Sequence, residues 1–310
     1  MSIHYRQCLD VLRRGGTLLL DGGTGTELER RGATMHESVW CATVTSTHPE
    51  ILSAVHRDYI GTGANVITAN TFSSSRNMLG PAGLGDLTQQ LNRRAVEIAL
   101  QARDASAPNH PVVIAGSMSH QLPIVPGKDY RDESQIPTDA VLRSNFLEMA
   151  DVLAESGADL ILMEMMSDPR LAVPALEAAR STGLPIWIGY ACRADGGNRA
   201  VPFYPVVASI AEMVEAIAPQ PDDVVGMMHT PVHVMADALE QLRAVTPAPL
   251  MAYPDSGYFE MPNWQFTDVI SPVELAKHAR SWRDVGVQVF GGCCGLGVEH
   301  IRCLAPEFAA

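Results

Sequence analysis

Short, uninterrupted apolar runs recur along the whole chain: TLLLD, NVITANTF, PVVIAGS, DLILMEM, PIWIGYA, DVVGMMH, PLMAYPD and VQVFGG. Runs of this length, rich in Val, Ile, Leu and Ala, suit strands covered on both faces, as in a parallel sheet. Between them lie segments with helical spacing, most closed by glycine just before the next strand: THPEILSAVHRDYIGTG, LTQQLNRRAVEIALQAR, AVLRSNFLEMADVLAESG, DPRLAVPALEAARSTG, VHVMADALEQLRAV and SPVELAKHARSWRDVG. In the first, Thr47 and Glu50 are expected to form a capping box around Pro49. Roughly eight strand-helix units without a compositional break predict a closed (β/α)8 TIM barrel, one domain over residues 1–310, more than an open doubly wound sheet, which stays as the alternative. The connections GATMHESVWCATV and QLPIVPGKDYRDESQIPTD, after the first and third strands, exceed ordinary turns and are candidate binding loops.

Charge narrows the partners. Lys and Arg total 22 against 35 Asp and Glu, a formal charge of -13, so nucleic acid or an anionic membrane surface would be repelled over most of the molecule. A small molecule is the expected partner; a homo-oligomer is left open. Neither a signal peptide nor a stretch long enough to span a bilayer is visible, and the six cysteines form no framework of paired spacings, which predicts a cytoplasmic protein.

In a barrel the active site lies at the carboxyl ends of the strands, and the polar residues gather there: Asp21, Asn70, Ser117, Glu164, His229, Asp255, Cys293 and Cys294. Adjacent cysteines make a poor disulfide; two thiolates on one soft cation are the better reading, with His229 as third ligand of a Zn2+ site. His233 competes but falls inside a predicted helix. Three protein ligands leave a position open for water, giving a hydrolase with Glu164 as general acid/base, or for a substrate thiol held as a nucleophile. For a thiol amino acid, Asp21 and Glu164 could hold the ammonium group, while Gly22 and Gly23 let backbone N–H groups approach a carboxylate. A barrel that merely binds metal or amino acid is the third reading.

The stretches DGGTGTELERRG, VHRDYIGTGANVITANTF, DLILMEMMSDPRLAVPALEAAR, YPDSGYFEMPNWQF and GGCCGLGVEHI, in this order, resemble the homocysteine S-methyltransferase family over nearly the whole chain. The resemblance implies a (β/α)8 barrel whose zinc activates homocysteine, or a related thiol or selenol, to take a methyl group from an onium donor and give methionine or its analogue. It implies that Asp21 and Glu164 bind the amino acid's ammonium group. This chain departs from the pattern in having His229 in place of the family's first zinc cysteine, Met228 where asparagine is usual, Asp255 for the asparagine of YPNSG, and Leu296 for threonine. Neutral imidazole in place of thiolate makes the centre less negative by one charge, which should bind a thiolate more tightly and leave it less nucleophilic. The chain ends soon after the cysteine pair, without the C-terminal arm of betaine-using relatives or the extra domains of the cobalamin and folate enzymes. The implied donor is therefore S-methylmethionine or S-adenosylmethionine. Trp40, Phe72, Tyr253, Tyr258 and Trp264, on or beside strand-end loops, are the candidate aromatic faces for its cation.

Overall fold

A computed structural model describes residues 1–123, 131, 133–260 and 265–309. Among these, eight parallel strands run in the order expected: β1 (Leu18–Leu19), β2 (Val66–Thr68), β3 (Val113–Ser119), β4 (Leu160–Met166), β5 (Ile186–Ala194), β6 (Val224–Pro231), β7 (Leu250–Asp255) and β8 (Val287–Phe290). Each hydrogen-bonds to its sequence neighbours and β1 also to β8. A bridge from Leu20 to Val66 joins β1 to β2 and closes the ring. The closed (β/α)8 barrel is thus the observed fold, and the open sheet is set aside. Helices 49–61, 88–106, 139–155, 169–181, 210–217, 232–243, 272–284 and 298–308 alternate with the strands.

Successive strand residues point to opposite faces, and the side chains sort accordingly. Leu18, Leu20, Val66, Val113, Ala115, Leu160, Leu162, Trp187 and Val289 fill the barrel interior. Their neighbours Leu19, Ile67, Ile114, Ile161, Ile188, Val225 and Phe290 meet the helices in the outer core. The continuous apolar runs arise because both faces are covered. An amino-terminal helix, Ile3–Arg13, adds Tyr5, Cys8 and Leu12 to the interior cluster. Trp187 Nε1 donates to Tyr5 Oη at 3.1 Å, so this helix plugs the end of the barrel where the strands begin. The opposite, carboxyl end is left for chemistry.

The expected capping box at Thr47 is not formed. Helix 49–61 begins on Pro49 after His48, with no side-chain cap. Thr47 belongs to a short preceding helix, Val44–Thr47, and its hydroxyl donates to the Thr43 carbonyl. Pro49 pre-sets the first turn and needs no amide partner there.

Candidate active site

The turn after β8 carries the two cysteines and is stitched to both neighbouring strand ends. Cys293 N donates to Pro254 O at 2.6 Å and Ser256 N to Cys294 O at 3.0 Å on the β7 side. Gly292 N donates to Asp21 O at 3.1 Å and Gly23 N to Leu296 O at 2.9 Å on the β1 side. This close approach explains the glycines after Asp21. A Cβ on Gly23 would lie 2.5 Å from the Cys293 carbonyl oxygen, and one on Gly22 would lie 2.5 Å from that of Leu296.

His229 reaches the same place by breaking the strand's alternation. Met228 is inward by parity, so the next residue should face the helices. Instead His229 has φ +45°, the β6–β7 register shifts between Met228 and Pro231, and the imidazole lines the cavity. Positive φ is uncommon outside glycine, although histidine tolerates it better than most. Met165 does the same on β4, with φ +58° and a register shift between Met163 and Met166, so Glu164 and Met165 both line the cavity. The two irregularities are linked: Met165 N donates to the thioether sulfur of Met228 at 3.1 Å. The Thr230 hydroxyl accepts from Cys192 N at 3.1 Å, bridging the interrupted ladder.

The outcome is a compact donor set. The ligand atoms of His229, Cys293 and Cys294 lie within 4.8 Å of one another. Cys293 Sγ is 3.8 Å from Cys294 Sγ and 3.9 Å from His229 Nδ1. Zinc–sulfur bonds of about 2.3 Å and zinc–nitrogen bonds of about 2.0 Å in a tetrahedron require edges of about 3.8 Å and 3.5 Å, so the residues fit a metal ion with little movement. Both thiols are free. The hydrogen bond with Cys294, then burial, pushes the Cys293 thiol well above its ordinary range; a cation between the sulfurs is what would let both ionise. Burial opposes charge on His229, but Asp255 and Cys293 outweigh it and lift its pKa to about 9. Asp255 Oδ2 is 4.0 Å from His229 Nδ1. His233 lies in helix 232–243, outside the ligand group.

The donor set opens onto a cavity of about 620 Å³. Of the residues singled out in the sequence, Gly23, Asn70, Glu164, His229, Asp255, Cys293 and Cys294 line it. Asp21, Gly22 and Ser117 lie buried behind that lining. Asp21 accepts from Thr68 N at 2.6 Å and from Thr68 Oγ1 at 2.9 Å, and Thr68 is the residue of the pair that reaches the wall. Ser117 Oγ donates to Glu164 Oε1. Asn70 Nδ2 donates to Cys41 O and Thr45 Oγ1, and its Oδ1 accepts from the Cys41 thiol, so its polar atoms hold the loop after β1.

Burial pushes Asp21 up to about 7, against the Thr68 hydrogen bonds and with help from Glu164. Burial likewise lifts Glu164 to about 7, against Ser117 and His229. Two carboxyls held this way sit ready to accept a positive charge.

Trp40, Phe72, Tyr253 and Tyr258 line the cavity as expected of aromatic walls; Trp264 lies outside the described residues, as do residues 124–130 and 132 of the loop after β3. Phe203, Tyr204 and Phe266 are further wall residues. A short strand, Ala200–Pro202, turns back antiparallel along β5 and delivers Phe203 and Tyr204 to the mouth. Phe203 lies 5.7 Å from the His229 ring, centroid to centroid. Arg131, almost wholly buried, sits 4.1 Å over the Tyr204 ring and pairs with Asp168 and Glu133. The signal for the aromatic pair was available: two adjacent rings between prolines in VPFYP, just beyond a strand end.

A family model described as homocysteine S-methyltransferase matches residues 18–308. The chain belongs to the homocysteine S-methyltransferase family. Homocysteine S-methyltransferase 2 of Zea mays is 28% identical over 307 residues, spanning 94% of this chain and 89% of its own. Selenocysteine Se-methyltransferase of Brassica oleracea var. italica is 29% identical over 315 residues, spanning 94% and 88%. Among solved structures, the metallated form of the homocysteine methyltransferase MmuM from Escherichia coli superposes with a TM-score of 0.77 at 23% identity, covering 96% of this chain and 98% of that one. The likeness supports the same barrel. Among the described residues, no helix is long and apolar enough to cross a membrane.

Proposed function

We propose that this chain, acting as one unit over residues 1–310, transfers a methyl group from an onium donor to the sulfur of homocysteine or the selenium of a related selenol. The product is methionine or its analogue. The observation that carries this reading is the placement of His229, Cys293 and Cys294 within 4.8 Å of one another, at the cavity that Glu164 also lines, in a chain of this family. These three residues would hold Zn2+, which when bound supplies the Lewis acidity that lets a thiol ionise near neutral pH.

The protein's own residues do the rest. Glu164 receives the amino acid's ammonium group from the cavity wall, and Asp21 adds negative charge from behind Thr68. Ser117 fixes the Glu164 carboxylate by donating to it. Gly22 lies behind the cavity lining and the Gly23 N–H is taken by Leu296 O, so the expected role of this turn in binding the substrate carboxylate through those amides is not carried forward. The aromatic walls, Trp40, Phe72 and Phe203 among them, favour a sulfonium cation through their ring faces and exclude water from the methyl group in transit. The acceptor sulfur attacks the methyl carbon in line, and the donor sulfur leaves with the bonding pair as a neutral thioether. S-methylmethionine and S-adenosylmethionine are the donors we assign. The free thiols suit a cytoplasmic setting.

The hydrolase reading, with Glu164 as general acid/base, finds no support in the family comparison. The test is direct: zinc-replete protein is incubated with homocysteine or selenocysteine and each donor, and the methylated amino acid is measured. Product is expected with at least one pair, and Cys294→Ala is expected to lose zinc and turnover together. Absence of product with every pair, or full activity in the zinc-free variant, overturns the proposal.

A further inference from the structure

The turn that carries the cysteines is built around one peptide group. Leu296 N donates to Cys293 O at 3.2 Å, which closes a four-residue turn over Cys294 and Gly295. Gly295 has φ +80° while Cys294 is not among the positive-φ residues; this is the type II form, which calls for glycine at its third position. The peptide between Cys294 and Gly295 is held at both ends. Its carbonyl accepts from Ser256 N at 3.0 Å, and its N–H donates to Thr26 Oγ1 at 3.1 Å. Thr26 comes from helix Thr24–Arg30, which starts directly after the Gly22–Gly23 pair, and it is 2% exposed, so water does not compete for that bond. The same helix takes the groups that follow. Arg30 Nη2 donates to Gly295 O at 2.8 Å, and Glu27, paired with Arg30, accepts from Val298 N at 3.4 Å. Cys293 is secured separately, through its N–H to Pro254 O.

We propose that Thr26 is a positioning residue of the metal centre, fixing the backbone on which the Cys294 sulfur is carried. Thr26 does not line the cavity, so its effect must pass through the turn. A ligand set does its work only while its members stay within about 0.5 Å of their places. Without the Thr26 oxygen the Gly295 N–H becomes a buried donor with no partner, which is costly. The turn then relaxes toward another acceptor and takes Cys294 with it, while Cys293 keeps its own anchor on β7. The inference rests on the metal-centre reading above, and it concerns affinity for the metal and not turnover.

The test compares Thr26→Val, which keeps the shape and removes the acceptor, with Thr26→Ser, which keeps the acceptor. Zn2+ affinity is read by competition against a chromophoric chelator. The Co2+ forms are read by their sulfur-to-metal charge-transfer absorption, whose intensity follows the number of thiolate ligands, with Cys294→Ala as the one-thiolate reference. Thr26→Val is expected to weaken Zn2+ binding about 10- to 100-fold, as loss of a residue supporting a ligand does elsewhere, and to move the Co2+ intensity toward that of Cys294→Ala. Thr26→Ser is expected to match the parent in both. Thermal melts of the metal-free proteins check the fold, and Thr26→Ala takes the place of Thr26→Val if the latter does not fold. A Thr26→Val protein that melts lower yet keeps the parent's affinity and Co2+ intensity would show an ordinary structural bond and overturn the role of Thr26, with the metal centre left standing. Equal losses in the valine and serine variants overturn it as well. If the parent binds Zn2+ no more tightly than Cys294→Ala, the metal centre itself falls, and the proposal with it.

Discussion

Replacing Glu164 by glutamine should make the metal-free protein more stable and worse at its task. Glu164 is 4% exposed, and burial, partly offset by Ser117 and His229, raises its pKa from an ordinary 4.5 to about 7. A carboxyl raised on folding holds its proton more tightly in the folded chain. Its contribution is therefore fully present below about pH 4.5 and is lost as pH rises through about 7. The difference between 4.5 and about 7, at 1.36 kcal/mol per pH unit, is about 3 kcal/mol of destabilisation at pH 8. Unfolding entropy of about 2.1 cal/mol/K per residue makes about 0.65 kcal/mol/K for a chain of this length, so the gap in melting temperature should be about 5 °C. Part of it will come from Asp21, whose proton is coupled to that of Glu164 and which is relieved when its neighbour loses charge. Glutamine still accepts from Ser117, so near pH 4.5 the two proteins should melt together. The assay is a series of thermal melts from pH 4.5 to 8.5 in chelator, on parent and Glu164→Gln, with homocysteine binding measured separately on the zinc-replete proteins. A variant that melts higher only above neutrality and binds homocysteine at least tenfold more weakly supports the assignment of Glu164 to the ammonium group. A gap that is absent, independent of pH, or of the opposite sign refutes the reasoning.

Three further outcomes can be checked. Gly23→Ala places a Cβ 2.5 Å from the Cys293 carbonyl oxygen, so the cysteine turn must shift; stability should fall by about 1–3 kcal/mol and Zn2+ affinity with it, as melts and chelator competition would show. Arg131→Met breaks a buried pair with Asp168 and removes the cation over Tyr204; a loss of about 3 kcal/mol is expected in denaturant unfolding, with Arg170 still pairing Asp168 and limiting the damage. Phe203→Ala removes a ring from the wall beside His229; if the rings meet an onium donor, its KM should rise about five- to thirtyfold, from about 1–2 kcal/mol of cation–π attraction, while the KM for homocysteine stays nearly constant.

The barrel was legible because a strand covered on both faces must be apolar throughout, and the eight runs in the sequence became the eight strands. The helix plugging the barrel floor was not: its anchor, Tyr5 to Trp187, joins residues too far apart for any local pattern to reveal. The same limit separates Asp21 from the cavity. A strand-end carboxylate in sequence looks equally able to touch a substrate or a backbone amide, and only the fold shows both Asp21 oxygens taken by Thr68. His229 is the sharper case. Strict alternation from Met228 would aim it at the helices, away from Cys293 and Cys294, and the sequence supported it as a ligand only through the company of two thiols. The structure supplies the missing step by departing from regular strand geometry at two places, Met165 and His229, linked by the contact of Met165 N with the sulfur of Met228. Each departure turns one extra side chain into the cavity, at about 1–3 kcal/mol of backbone strain apiece. That strain is sustained by the closed barrel around it, whose core is too well filled for either strand to relax. The regular part of the fold thus holds in place the irregular part that does the chemistry, and periodicity in the sequence reports only the former.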